Sequence, residues 1–166
     1  MESNNVIFGI NGPVVTVKNA SCFSMMEMVY VGSEKLVGEV IGITDKSTTI
    51  QVYEETTGLM PGDPVTGTGA PMNVLLGPGI IDNIFDGIER PLKAIEKESG
   101  AFIKRGSSVP SLDTEKLWNV TVTVKVGDKL VGGDIYATIP ETDIIEHRCM
   151  VSPDLKGEVV EVKQSG

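Results

Sequence analysis

GPGIIDNIFDGIERPL, residues 77–92, is the one stretch with a helical period, and it lies between two halves punctuated by glycine and rich in β-forming residues. Ile80, Ile81, Ile84, Phe85 and Ile88 recur with helical spacing, while Asp82, Asn83, Asp86, Glu89 and Arg90 fall on the other face. One stripe can therefore be buried and the other stay wet. Pro78 suits a first helical position, where a missing N–H costs nothing, and Pro91 blocks continuation. Gly87 can end the helix earlier as a left-handed cap. Residues 92–100 then set Leu92 and Ile95 against Lys93, Glu96, Lys97 and Glu98, which predicts a short solvated helical turn closed by Gly100. The stretch reads as a connector between two different β modules.

Upstream, residues 6–17 gather apolar side chains about Gly9 and Gly12-Pro13, giving a strand, a bend and a second strand. Residues 25–31 run through Met, Val and Tyr, interrupted by Glu27. Gly32-Ser33-Glu34-Lys35 turns the chain into 36–43, and Asp45-Lys46-Ser47 turns it again. In 48–53, Thr48, Ile50 and Val52 alternate with Thr49, Gln51 and Tyr53, the period of a strand with one buried face. Turn signals at short intervals as far as Gly69 predict a small closed β-barrel over residues 1–69, since closure removes the edges of so short a sheet. Residues 70–106 form the connector with short helices, and a glycine- and serine-bearing break at 106–110 opens a second β domain over 107–166. Its strongest strand pattern is 117–126, where Val120, Val122 and Val124 alternate with Thr121 and Thr123; Trp118, the sole tryptophan, is the expected core anchor or interface residue. Gly127-Asp128, Gly132-Gly133-Asp134, an apolar run at 135–139, a turn at 140–143, and strands at 144–151 and 158–162 complete a mainly β class.

Composition narrows the function. The net charge of −9, from 14 Lys+Arg against 23 Asp+Glu, repels phosphate backbones and anionic lipid heads unless basic residues cluster. Lys104-Arg105 is the only adjacent basic pair, so neither nucleic acid nor direct membrane insertion is expected. The opening MESNN has no basic-then-apolar signal, and no apolar run approaches the roughly 18 residues of a membrane span. A soluble, cytosolic chain is the expectation. Cys22 and Cys149 read as reduced thiols. His147 with both cysteines offers three ligands where a closed zinc site wants four. Glu54-Glu55, as strand neighbours, face opposite ways and form no acid/base pair. No glycine is followed by lysine, so the P-loop that cradles a triphosphate is missing, as is Gly-x-Ser-x-Gly, and one histidine makes no triad. No catalytic, cofactor-binding or metal residue is expected, and no enzymatic activity of the chain alone.

Residues 7–17, 25–41 and 49–92 resemble the start of the catalytic A subunit (alpha chain) of V-type and archaeal-type rotary ATPases. The resemblance is carried by Gly12-Pro13-Val14-Val15, Val37-Gly38-Glu39-Val40-Ile41, the run from Ile50 through Glu54-Glu55 to Gly58, Pro61-Gly62-Asp63-Pro64-Val65, and above all the 77–92 string. It continues through Phe102-Ile103-Lys104-Arg105-Gly106, Val126-Gly127-Asp128, Gly132-Gly133-Asp134-Ile135 and Met150-Val151-Ser152-Pro153, which are similar to the bulge insertion of that subunit. Departures fall at residues 19–23 and at His147-Arg148-Cys149. The resemblance implies a barrel in the collar of a hexameric ring, beside the noncatalytic B subunit and further copies of the A subunit. It implies a bulge that meets the peripheral stalk, at the cytoplasmic side of a membrane. The parent enzyme would bind Mg-ATP or ADP and couple its synthesis or hydrolysis to ion transport. The chain here is expected to be a fragment without the nucleotide-binding domain, monomeric or weakly associated by itself.

Residues 126–166 also resemble the lipoyl and biotinyl carrier fold, through Val126-Gly127-Asp128, Gly132-Gly133-Asp134, Glu141-Thr142-Asp143, Ser152-Pro153 and Gly157-Glu158-Val159-Val160. That implies a barrel-sandwich hybrid. The carrier's acylated lysine would follow Asp143, where this chain has Ile144, and no lysine lies between Lys129 and Lys156. The alternative function, a stand-alone acyl-carrier-like or adapter protein, is separated by mass. After co-expression with a lipoyl or biotinyl ligase, the intact mass is expected to be unmodified; a stoichiometric adduct on Lys129 or Lys156 would favour the carrier.

Overall fold

The computed structural model describes residues 5–18, 22–81, 83–100, 103–107 and 109–163. Asp82, Phe102, Ser108 and residues 19–21 and 164–166, named above, lie outside them. Two compact units divide the chain, one of residues 1–74 and 94–109, the other of 75–93 and 110–166.

In the first unit six strands form one antiparallel sheet: β1 (Ile7–Asn11), β2 (Val14–Lys18), β3 (Glu27–Val31), β4 (Leu36–Ile43), β5 (Ser47–Val52) and β6 (Val65–Pro71), in the order β1-β2-β5-β4-β3-β6. Strict alternation makes the core. Val15 and Val17 of β2, Val29 and Val31 of β3, Leu36 and Val40 of β4, and Ile50 and Val52 of β5 all turn inward. The sheet's two edges are bonded to each other. Val6 bridges Pro64, the Ile7 N–H donates to Asp63 O (2.9 Å), the Gly62 N–H to Ile7 O (2.8 Å) and the Val65 N–H to Asn5 O (2.8 Å). The turns expected at 32–35 and 45–47 form, with the Lys35 N–H on Gly32 O and the Thr44 N–H on Ser47 O.

The 77–92 stretch corrects its reading: among its described residues there is no helix before Leu92. Gly79 has φ +100 and Glu89 φ +63, both outside the right-handed helical region. Backbone donors a helix would use internally are taken by side chains. The Asp86 carboxylate accepts the N–H of Ile88 (3.1 Å) and Arg90 (2.8 Å), and Phe85 bridges Pro91, closing a tight loop. Asp86 and Arg90 are not a wet face but a half-buried ion pair at 2.7 Å. The helix that does form is α1 (Leu92–Ser99), the segment read as a short helical turn. Ile95 is its buried residue, and Gly100, at φ +78, ends it with its N–H on Glu96 O (2.9 Å).

In the second unit, β7 (Thr121–Val122), β9 (Ile135–Pro140) and β10 (Glu146–Met150) form a three-stranded sheet, and β8 (Lys129–Val131) pairs with β11 (Lys156–Glu158). The 117–126 strand shrinks to two residues. Its alternation survives, Val120, Val122 and Val124 being half-buried and Thr121 and Thr123 exposed, and the two residues that remain a strand pair with β9. Residues 159–162 likewise leave the strand. Gly127 and Gly133 make matching steps. The N–H of each donates to a later carbonyl, Val159 and Val151, whose own N–H returns to Asp128 O and Asp134 O, all at 2.8–2.9 Å. The Asp128 and Asp134 carboxylates then take the N–H of Lys125 and Val131, each at 2.8 Å.

Leu36, wholly inside the first unit, sets a stability test. Leu36→Ala is expected to cost about 3 kcal/mol, as buried leucines do, read as a lower denaturant midpoint at unchanged slope. Leu155→Ala, at an exposed site, should stay within about 0.5 kcal/mol.

Candidate interaction surfaces

Glu27 interrupts an apolar run in the sequence, and the alternation of β3 places it inward beside Val29 and Val31, only 3% exposed. A carboxylate there needs donors. Its Oε2 accepts the Ser24 N–H (2.7 Å) and its Oε1 the Gly69 N–H (2.9 Å). The Glu27 N–H donates back to Ser24 O (3.2 Å), closing a turn whose two central residues are Met25 and Met26. Met26 takes a left-handed φ of 62°, unusual outside glycine, and its N–H donates to Val40 O (2.9 Å). Beside it, the β4–β5 register shifts between Val40 and Gly42, a bulge at Ile41. The buried carboxylate thus holds a strained turn that presents Met25 and Met26, 53% and 60% exposed, next to exposed Ile41 and Ile43. Strain and bulges of this kind gather at functional surfaces.

Of the basic pair read at 104–105, Arg105 is committed to its own unit, while Lys104 is exposed. Arg105 Nη2 lies 2.9 Å from Glu34 Oε2, while Nη1 donates to Glu55 O (3.2 Å) and to Thr57 O. Glu54 and Glu55 lie in a loop beyond β5 rather than on a strand, and they serve separate neighbours. Glu54 Oε2 accepts the Gly106 N–H (3.0 Å) and Glu55 Oε1 the Thr57 hydroxyl (2.6 Å).

The 85–91 loop stores an acid/base asymmetry. Burial alone would raise the Asp86 carboxyl, but the Arg90 N–H, its guanidinium and the Ile88 N–H outweigh it and hold Asp86 below its ordinary 3.8.

In the second unit the β9–β10 hairpin turns at 141–145. The Glu141 side chain is 2% exposed. Its Oε1 accepts the N–H of Gly79 (2.7 Å) and Ile81 (3.0 Å), so it fixes the start of the 77–92 stretch. His147 Nδ1 stands 3.9 Å from Glu141 Oε2. Cys149, two residues on, is half-buried, and burial pushes its thiol up from 9.0. Among the described residues no group of three His, Cys, Asp or Glu side chains could hold a metal ion. Trp118 is half-buried beside Gly79, with Lys116 Nζ 3.8 Å over its ring. An open, largely apolar depression of about 190 Å³ lies between Leu130, Val151, Leu155 and Val159. No helix among the described residues is long and apolar enough to cross a membrane.

Comparison with known proteins gives the family. The family model for the ATP synthase alpha/beta family, beta-barrel domain, matches residues 7–69, and that for the ATP synthase alpha/beta subunit barrel-sandwich domain matches 109–166. The chain belongs to the ATP synthase alpha/beta family. It is 52% identical over 166 residues to the V-type ATP synthase alpha chain of Halothermothrix orenii, covering 100% of this chain and 28% of that protein. To V-type ATP synthase alpha chain 2 of Clostridium tetani it is 54% identical over 160 residues, 96% of this chain and 27% of that protein. To the A subunit of the A-type ATP synthase of Thermococcus sibiricus it is 48% identical over 160 residues, with the same coverage. The chain thus spans little more than a quarter of the length of these relatives.

One surface pair reports its own geometry. The Tyr53 hydroxyl donates to Glu39 Oε2 at 2.7 Å; this bond, with burial and the Glu39 charge, pushes the phenol up to about 12. A pKa raised on folding means the neutral phenol's contribution is intact below its ordinary 10 and is lost as pH rises through about 12. In an ultraviolet titration Tyr53 is expected to ionise near pH 12, and Glu39→Gln to return it toward 10.

Proposed function

We propose that this chain is the non-nucleotide-binding N-terminal region of a catalytic A subunit in a V/A-type ATP synthase. Identity of about one half along essentially its whole length to such subunits carries the reading. Residues 1–69 are the barrel of the ring collar, 70–106 the connector and 107–166 the bulge. The Met25, Met26, Ile41 and Ile43 cluster supports the collar role: exposed apolar side chains grouped at one place on a barrel fit a neighbouring barrel, that of the B subunit or of another copy of the A subunit. Thioethers suit such a contact because they adapt to the facing shape. The bulge meets the peripheral stalk. The parent couples ATP synthesis or hydrolysis to ion transport, working on the cytoplasmic side and peripheral to the membrane.

Nucleotide chemistry lies outside these residues in this reading. A triphosphate needs several converging donors or cations, whereas the sequence has no P-loop and Arg105 is engaged with Glu34, Glu55 and Thr57. Calorimetric titration of Mg-ATP into the chain is expected to show no saturable binding tighter than roughly 100 µM, about −5.5 kcal/mol. A saturating isotherm would contradict this. For the collar, Met26→Asp with Ile41→Asp in the full-length protein is expected to cut the yield of assembled ring at least tenfold without changing the β-sheet circular dichroism. Unchanged assembly would remove these residues from the collar.

A further inference from the structure

The hairpin between β9 and β10 turns through Glu141-Thr142-Asp143-Ile144-Ile145. Tight turns favour Gly, Asn, Asp, Ser and Pro for defined conformational reasons. A β-branched residue runs against that preference, and Ile144 gains no burial in return, being 92% exposed. A local rule broken without structural gain is the mark of a functional position. The turn is nonetheless well held. The Glu141 and Thr142 N–H groups both donate to Ile145 O (3.0 and 3.2 Å), and Thr142 Oγ1 accepts from the N–H of Ile144 (3.4 Å) and Ile145 (3.1 Å). At its base, the buried Glu141 carboxylate is braced on the Gly79 and Ile81 N–H groups. The tip itself is acidic, and the nearest Lys or Arg in sequence, Arg148, follows Glu146 on the same exposed face of β10. Asp143 and Glu146 flank the tip, both exposed, and no Lys or Arg lies between Lys129 and Arg148.

We infer that this turn is a docking knob: Ile144 enters an apolar pocket on another protein of the assembly, and Lys or Arg side chains on the pocket's rim pair with Asp143 and Glu146. A pre-set turn loses little freedom on binding. One desolvated apolar anchor surrounded by charge is how contact energy concentrates at interfaces, and the acids steer the approach and fix its orientation. The same acids repel phosphate groups, so the occupant is a protein rather than a lipid surface or nucleic acid. The inference rests on the proposed reading and names the element of the bulge that makes its contact.

The test places the photo-crosslinker benzoylphenylalanine at position 144 of the full-length protein in the purified rotary complex. Crosslinks are expected to a different polypeptide of the complex, in a peptide with Lys or Arg near the joined residue. Affinity for that polypeptide, measured by interferometry, should fall at least tenfold in Ile144→Asp and remain nearly unchanged in Ile144→Leu. Asp143→Asn with Glu146→Gln should weaken binding and flatten its salt dependence. An assembled complex in which position 144 reacts only with solvent or its own chain overturns the inference while the assembly reading stands. Failure of the full-length protein to enter any rotary complex overturns both.

Discussion

A sheet of strands five to eight residues long leaves two rows of unpaired N–H and C=O groups unless its edges meet. Here they meet through residues 5–7 and 62–65. Every other property of the first unit follows from that join. Once the edges are tied, each strand has one inward and one outward face, and the inward alternation of β2 to β5 becomes a common core. Outward positions are then free to carry contacts, because the unit's stability is set elsewhere.

Carboxylates finish what the strands leave undone. Glu27, Asp86 and Glu141 each accept two backbone N–H groups, at the Ser24–Glu27 turn and β6, in the 85–91 loop, and at the 77–81 turn. Hydrogen bonds to a charged acceptor are among the stronger ones a protein makes, roughly 1.5–3 kcal/mol each. Three irregular segments are thereby fixed in place of regular ones. Acidic residues in this chain are therefore not only surface charge.

The barrel was legible in the sequence because its signals are local: period-two alternation, and turns at 32–35 and 45–47 with the residue types such turns require. The 77–92 stretch was misleading for a physical reason. Its apolar spacing fits a helix, but its conformation is decided by Asp86 within the stretch and by Glu141, sixty residues beyond Ile81. No periodicity reveals a distant acceptor. Glu27 could have been recognised, since counting back by two from Val31 and Val29 puts it on the buried face. The 117–126 pattern showed the right faces but not the length, because strand length depends on having a neighbour to pair with. The candidate surfaces were invisible for a similar reason: exposure at Met25, Met26 and Ile144 belongs to the fold, not to the residue types.

The turn that carries Met25 and Met26 also has a chemistry of its own. Their thioethers stand in solvent, while the described core of the barrel holds no sulfur, so a diffusing oxidant reaches them as readily as it reaches the exposed Met60. Conversion to the sulfoxide would leave the Glu27 clamp and the sheet untouched while turning an adaptable apolar contact into a polar, chiral one. If this turn is the collar contact proposed above, oxidation there would act on association and spare folding.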